Sequence, residues 1–205
     1  MPGIFITFEG GDGTGKSTQV RLLTEWLTQQ GRAVVTTREP GGTEVGTALR
    51  EIVLHHRGEI DPRAEALLYA ADRAQHIGTL VRPALERGDV VVQDRYIDSS
   101  VAYQGAGRVL DAAEIKRISL WATSDLIPNL TVLLDLPGDV ARERLAQEQK
   151  TFDRLENERD DFHERVRAGF LALAANEPNR FLVVDAAQEI DQIALVIRDR
   201  VGALL

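Results

Sequence analysis

The chain contains no cysteine in its 205 residues. That excludes disulfides, thiolate metal sites and a cysteine nucleophile, and it fits a reducing, cytoplasmic setting. No run of about 18 apolar residues occurs, so no membrane span is expected. A basic surplus is missing too: 24 Lys and Arg stand against 32 Asp and Glu, a formal net charge of −8. Binding along a DNA or RNA backbone needs a basic face that neutralises phosphates, so nucleic acid is not an expected partner. A small anion in a local basic pocket remains compatible with this balance, because the local field decides there. The opening MPGIFITF lacks a basic segment ahead of its short apolar run and reads as a first strand, not a signal peptide. His55, His56, His76 and His163 have no metal-ligand spacing and are read as surface or internally bonded side chains.

What is present is ordinary for a soluble globular protein: 43% apolar and 27% charged residues. The length suits a single domain spanning 1–205. Short apolar runs alternate with helical patterns. Candidate strands are Ile4–Phe8, Ala33–Thr36, Val90–Gln93, Thr131–Leu134 and Phe181–Val184, nearly continuous in apolar character, as a sheet covered on both faces requires. Between them lie candidate helices. Thr18–Gln30 places Val20, Leu23 and Leu27 on one face and stops at Gly31. Ala64–Arg87 is longer and is expected to break near Gly78 and Pro83. Asn157–Ala175 carries Phe162, Val166, Phe170 and Leu173 on one stripe. The alternation predicts an α/β fold with a parallel sheet of about five strands and helices on both faces. Ligands of such sheets gather beyond the carboxyl ends of the strands.

After the first strand comes Gly10-Gly11-Asp12-Gly13-Thr14-Gly15-Lys16-Ser17, then Thr18. This matches G-x-x-x-x-G-K-[ST] with a strand before it and a helix after it, the context of a P-loop. The glycines let consecutive N–H groups turn toward phosphate oxygens, and the following helix adds its positive end. Lys16 is expected at the β/γ-phosphates of a nucleoside triphosphate and Ser17 on Mg²⁺.

Three further stretches narrow the reading. Arg38 ends the second strand ahead of a Pro-Gly-Gly turn; it is either a guanidinium beside the phosphate loop or a solvated turn residue. Asp94 ends the third strand, where a Mg²⁺-water ligand belongs in P-loop enzymes, and Arg95 follows it. The two also suit a structural ion pair. Tyr69 and Arg73 stand four apart on one helical face, where they could stack on a base and bond its edge, or serve as a core tyrosine beside a surface arginine.

In order, FEGGDGTGKST, TREPGGT, YAADRAQH and DRYIDSSVAYQG resemble the thymidylate kinase family, and the similarity runs from about residue 4 to residue 156 through PNLTVLLDLP and DRLE. The resemblance implies a nucleoside monophosphate kinase-like P-loop fold that moves the γ-phosphoryl of ATP onto dTMP with Mg²⁺. It implies that Gly10–Thr18 hold the ATP phosphates and that Asp12 faces the acceptor. Arg38 and Arg95 would clamp the acceptor phosphate, and Asp94 would help position the metal with Ser17. Tyr69 would stack on thymine and Arg73 bond its O4. Tyr103 would press near C2′, while Ser100 and Gln104 would reach base or sugar. A homodimer is also implied; the apolar faces of 64–87 and 111–125 could meet a partner or pack on the sheet.

Gly13 stands where some relatives carry arginine, which implies basic residues supplied by a lid at about 138–154. Of Arg142, Arg144, Lys150 and Arg154, Lys150 or Arg144 is the expected contact for the transferred phosphoryl. The Pro128-Asn129 turn is read as a strand entry. Two alternatives stay open: another nucleoside monophosphate kinase, or a nucleoside kinase using Glu9 or Glu39 as base, on the same loop; and a nucleotide switch, against which the lack of an NKxD stretch counts.

Overall fold

The computed structural model describes residues 3–147, 153–156 and 158–205. Its strands are β1 Ile4–Glu9, β2 Val34–Arg38, β3 Val90–Asp94, β4 Leu130–Asp135 and β5 Phe181–Asp185. All pair in parallel in the order β2-β3-β1-β4-β5. The five expected strands are all present, each within two residues of its expected ends. Helices α1 Lys16–Gln29, α2 Glu44–His55, α3 Pro62–His76, α4 Arg82–Glu86, α5 Ile97–Ser100, α6 Ala112–Thr123, α7 Gly138–Gln147, α8 Asp160–Asn176 and α9 Ile190–Gly202 complete the described elements.

The central strands show why apolar runs replace alternation here. In β1, Ile4, Ile6 and Phe8 pack with Val20, Leu23 and Leu27 of α1 and with Ile193, Ile197 and Val201 of α9. Phe5, one residue out of step, packs on the opposite face with Ile77, Val81 and Tyr96. Period-two geometry sends successive side chains to opposite faces, and both faces are covered. For lack of a second neighbour the edge strands are more open: β2 has only half-buried and exposed positions, and β5 mixes buried with exposed ones.

Gly31, at φ +76, follows the end of α1 as expected. The segment read as Ala64–Arg87 does not break. Ile77 and Arg82 keep right-handed helical angles, and a π-helical turn at Ile77–Val81 joins α3 to α4. Pro83 then falls at the start of α4, directly after that turn. A second π-helical stretch, Val101–Gly107, continues α5. Asn129 does more than begin a strand: it accepts from Phe5 N–H through Oδ1 and donates its own N–H to Phe5 O, both at 2.8 Å.

Candidate active site

The phosphate loop bends through positive φ at Gly10 (+134), Gly13 (+75) and Gly15 (+89), angles that side-chain-bearing residues rarely adopt. Lys16 folds back over it, donating to Gly10 O (3.1 Å) and Gly11 O (2.6 Å). Burial first, and the neighbouring Arg95 guanidinium second, push the Lys16 ammonium down to about 8. The loop also touches α7. A Cβ on Gly13 would stand 2.7 Å from Ala141 O and 3.0 Å from Leu145 Cγ, so glycine lets the two segments approach.

At the end of β3, Ser17 Oγ lies 3.3 Å from Asp94 Oδ2. Asp94 Oδ1 is buried without a hydrogen-bond partner among the described residues. The Ser17 hydroxyl and the Asp94 carboxylate converge, and the second carboxylate oxygen has its lone pairs free, a donor set that suits a hard cation such as Mg²⁺.

Arg95 adopts φ +66. It donates to Asp12 Oδ1 (2.5 Å), Gly10 O (3.1 Å), Ser99 Oγ (3.2 Å) and the Tyr103 hydroxyl (3.3 Å). Tyr103 in turn donates to Asp12 Oδ2 at 3.1 Å. Burial alone would raise the Asp12 carboxyl, but Arg95 and Lys16 hold it well below the usual carboxylate range. The unusual Arg95 backbone is braced by Glu9, which accepts from Tyr96 N–H (2.8 Å), Ser99 N–H (3.2 Å) and Ser99 Oγ–H (2.5 Å).

A cavity of about 380 Å³ joins these groups. Of the residues singled out in the sequence, Asp12, Gly13, Gly15, Lys16, Ser17, Thr18, Arg38, Tyr69, Arg73, Asp94, Arg95, Ser100, Tyr103 and Gln104 all line it. Gly10, Gly11 and Thr14 border instead a second cavity toward α7 and α8. Arg38 is exposed and has no ion pair among the described residues.

Arg73 differs from a free base-reading guanidinium. It is buried and donates to Glu39 Oε2 (2.8 Å), Ser119 Oγ (3.1 Å), Tyr96 O (3.1 Å) and Ser100 Oγ (3.2 Å), which leaves one of its five N–H groups uncommitted. Glu39 also bonds His76 Nδ1 at 2.9 Å, and His76 Nε2 lies 2.7 Å from Thr37 Oγ1. That histidine is thus internally bonded, as its reading proposed.

In the lid region, Arg142 pairs with Asp160 of α8. Arg154 is spent on anchoring: its Nε donates to Val53 O (2.9 Å) and its Nη2 to Glu65. Neither is free for phosphate in this arrangement, whereas Arg144 forms no hydrogen bond or ion pair among the described residues. Lys150 lies outside the described residues. Sequence reasoning passed over Arg50, which lines the cavity from α2 and donates to Pro40 O at 2.9 Å, and Glu65, which stands behind Gln104. The Thr43 cap and the helical pattern after it were the signal for α2 and hence for Arg50.

A parallel sheet in this order, a P-loop after β1, an aspartate ending β3 and an arginine-lined cavity that the loop itself borders define the class of P-loop nucleoside monophosphate kinases. A family model described as "Thymidylate kinase" matches residues 8–197, and the chain belongs to that family. It is 67% identical over 199 residues to a thymidylate kinase of Leifsonia xyli subsp. xyli, covering 97% of this chain and 94% of that one. It is 52% identical over 208 residues to the thymidylate kinase of Bifidobacterium longum, covering all of both. A crystal structure of thymidylate kinase from Ehrlichia chaffeensis superposes with a TM-score of 0.81 at 30% identity, covering 98% of this chain and 100% of that one.

Proposed function

We propose that the chain transfers the γ-phosphoryl group of ATP to the 5′-phosphate of dTMP, giving ADP and dTDP. The observation that carries this is one cavity lined both by the phosphate-binding candidates Lys16, Arg95 and Arg38 and by the base-binding candidates Tyr69, Arg73 and Gln104. The nucleophile is a phosphate oxygen with a second pKa of roughly 6, already largely ionised at neutral pH. No general base is required, and the work left is alignment and charge neutralisation. Gly10–Thr18 hold the donor phosphates, with Lys16 at the transferred group. Arg38 and Arg95 grip the acceptor phosphate. Asp12 and Tyr103, bonded to each other and to Arg95, border the acceptor sugar. Ser17 and Asp94 hold Mg²⁺, which when bound offsets charge between the two nucleotides. Lys150 or Arg144 completes the phosphoryl contacts from the lid.

A nucleoside kinase has less support, because both candidate bases are committed: Glu9 to the 96–99 backbone and Glu39 to Arg73 and His76. Among the described residues no helix is long and apolar enough to cross a membrane. The cysteine-free chain suits the cytoplasm. The homodimer rests on apolar side chains left exposed on neighbouring helices: Val45 and Ile52 of α2, Leu67 of α3 and Trp121 of α6.

The test is ADP release from Mg-ATP with dTMP, dUMP, dCMP, dGMP, dAMP and ribosyl-TMP. Turnover is expected to be highest with dTMP. Strong turnover with a purine would overturn the acceptor pocket, and ADP release with no acceptor would overturn the kinase reading.

A further inference from the structure

Glu65 lies on α3, fully buried, and does not line the cavity. Its carboxylate gathers three side chains. Gln104 Nε2 donates to Oε1 at 2.9 Å. Arg108 donates to both oxygens, Nε to Oε1 and Nη2 to Oε2, each at 3.3 Å. Arg154 Nη2 donates to Oε2. Burial alone would raise this carboxyl, but the hydrogen bonds from Gln104, Arg108 and Arg154 hold it below the usual carboxylate range. Glu65 is therefore an ionised group that can only accept.

This decides a question that an amide leaves open. A glutamine side chain can present either its NH₂ or its C=O in a given direction, and the hydrogen-bond network settles which. Facing a pure acceptor, Gln104 must turn its NH₂ toward Glu65. Its Oε1 then points away from Glu65 and accepts from none of the described residues, while Gln104 lines the same cavity as Arg73. The cavity lining thus includes a carbonyl acceptor from Gln104 and, from Arg73, the single N–H left uncommitted. An imide edge, N–H beside C=O, complements that pair. A cytosine edge presents a ring-nitrogen lone pair and an exocyclic NH₂, and would set lone pair against lone pair and donor against donor.

We propose that Glu65, touching no substrate itself, is a positioning residue that fixes the Gln104 amide and so selects thymine- or uracil-type acceptors over cytosine-type ones. The proposal rests on the acceptor site assigned above. In Glu65→Gln the partner can donate as well as accept, and Gln104 is free to turn over.

The experiment measures kcat and KM for dTMP and dCMP, with saturating Mg-ATP, on the full chain and on Glu65→Gln, Gln104→Ala and the double variant. Glu65→Gln should lower the dTMP-over-dCMP ratio of kcat/KM by about tenfold, chiefly through a higher KM for dTMP. In the Gln104→Ala background the same change should leave the ratio within about twofold, since the group it acts through is gone. An unchanged ratio in the single variant, or an equal loss in both backgrounds, overturns the proposal. Should Glu65→Gln fail to fold, the exchange Glu65→Gln with Gln104→Glu decides. It keeps one carboxylate in the cluster and an acceptor facing the base, so it should still prefer dTMP; equal use of dCMP overturns the proposal. A wild-type chain that does not use dTMP would refute the acceptor assignment itself, a different result from either.

Discussion

Glu9 braces Arg95, yet it is buried close to a second carboxylate. Burial first, and Asp98 second, push its carboxyl up to about 8 from an ordinary 4.5. The folded chain keeps this proton between those values while the unfolded chain releases it. The stabilising contribution is therefore full below about 4.5 and is lost as pH rises through about 8. Glu9→Gln is neutral at every pH and should remove that slope. Urea unfolding at pH 5, 6.5 and 8 should show the wild type losing stability relative to Glu9→Gln as pH rises; parallel pH profiles would mean that Glu9 is ionised in both states. The phosphate loop was legible residue by residue because its glycines, lysine and serine are neighbours in sequence. The tasks of Glu9 and Glu65 were not, since Ser99 lies 90 residues from the first and Arg154 lies 89 from the second.

Among the elements, α7 has its position set by one glycine. Gly13→Ala adds a methyl 2.7 Å from Ala141 O, at a φ of +75. The backbone conformation alone costs about 1–2 kcal/mol, and the contact forces loop and helix apart. We expect a lower unfolding midpoint in thermal melts together with a reduced kcat. Wild-type values for both would mean that α7 does not rest on the loop. The helical patterns revealed where α1, α8 and the continuous stretch from α3 to α4 run, within a few residues. They did not reveal the π-helical turns at 77–81 and 101–107, because a wider turn places no distinctive residue in the sequence. The second of these turns carries Tyr103 and Gln104 to the cavity, in keeping with the frequent appearance of such turns at functional sites.

For the molecule as a whole, α3 packs against both α2 and α6, so the helices that carry the exposed apolar residues are neighbours. Trp121 is 81% exposed and Leu67 57%, values suited to an interface more than to an isolated surface. Light scattering should give about twice the 22.6 kDa chain mass, and Trp121→Glu should shift it toward the single-chain value. A single-chain mass for the wild type would reject the dimer.

By itself the sequence determined the parallel α/β architecture, the triphosphate loop and the family, because each is written in short-range patterns: apolar runs, helical periods and glycines at fixed spacing. Only the tertiary structure decided how the charged groups divide. Arg95 braces Asp12, Arg73 is held by Glu39, Arg154 is bound to Glu65, and Arg38 is left exposed. The spacing of residues along the chain cannot distinguish an arginine that meets a carboxylate from one that awaits a phosphate. That depends on which segments the order β2-β3-β1-β4-β5 brings together at the carboxyl end of the sheet.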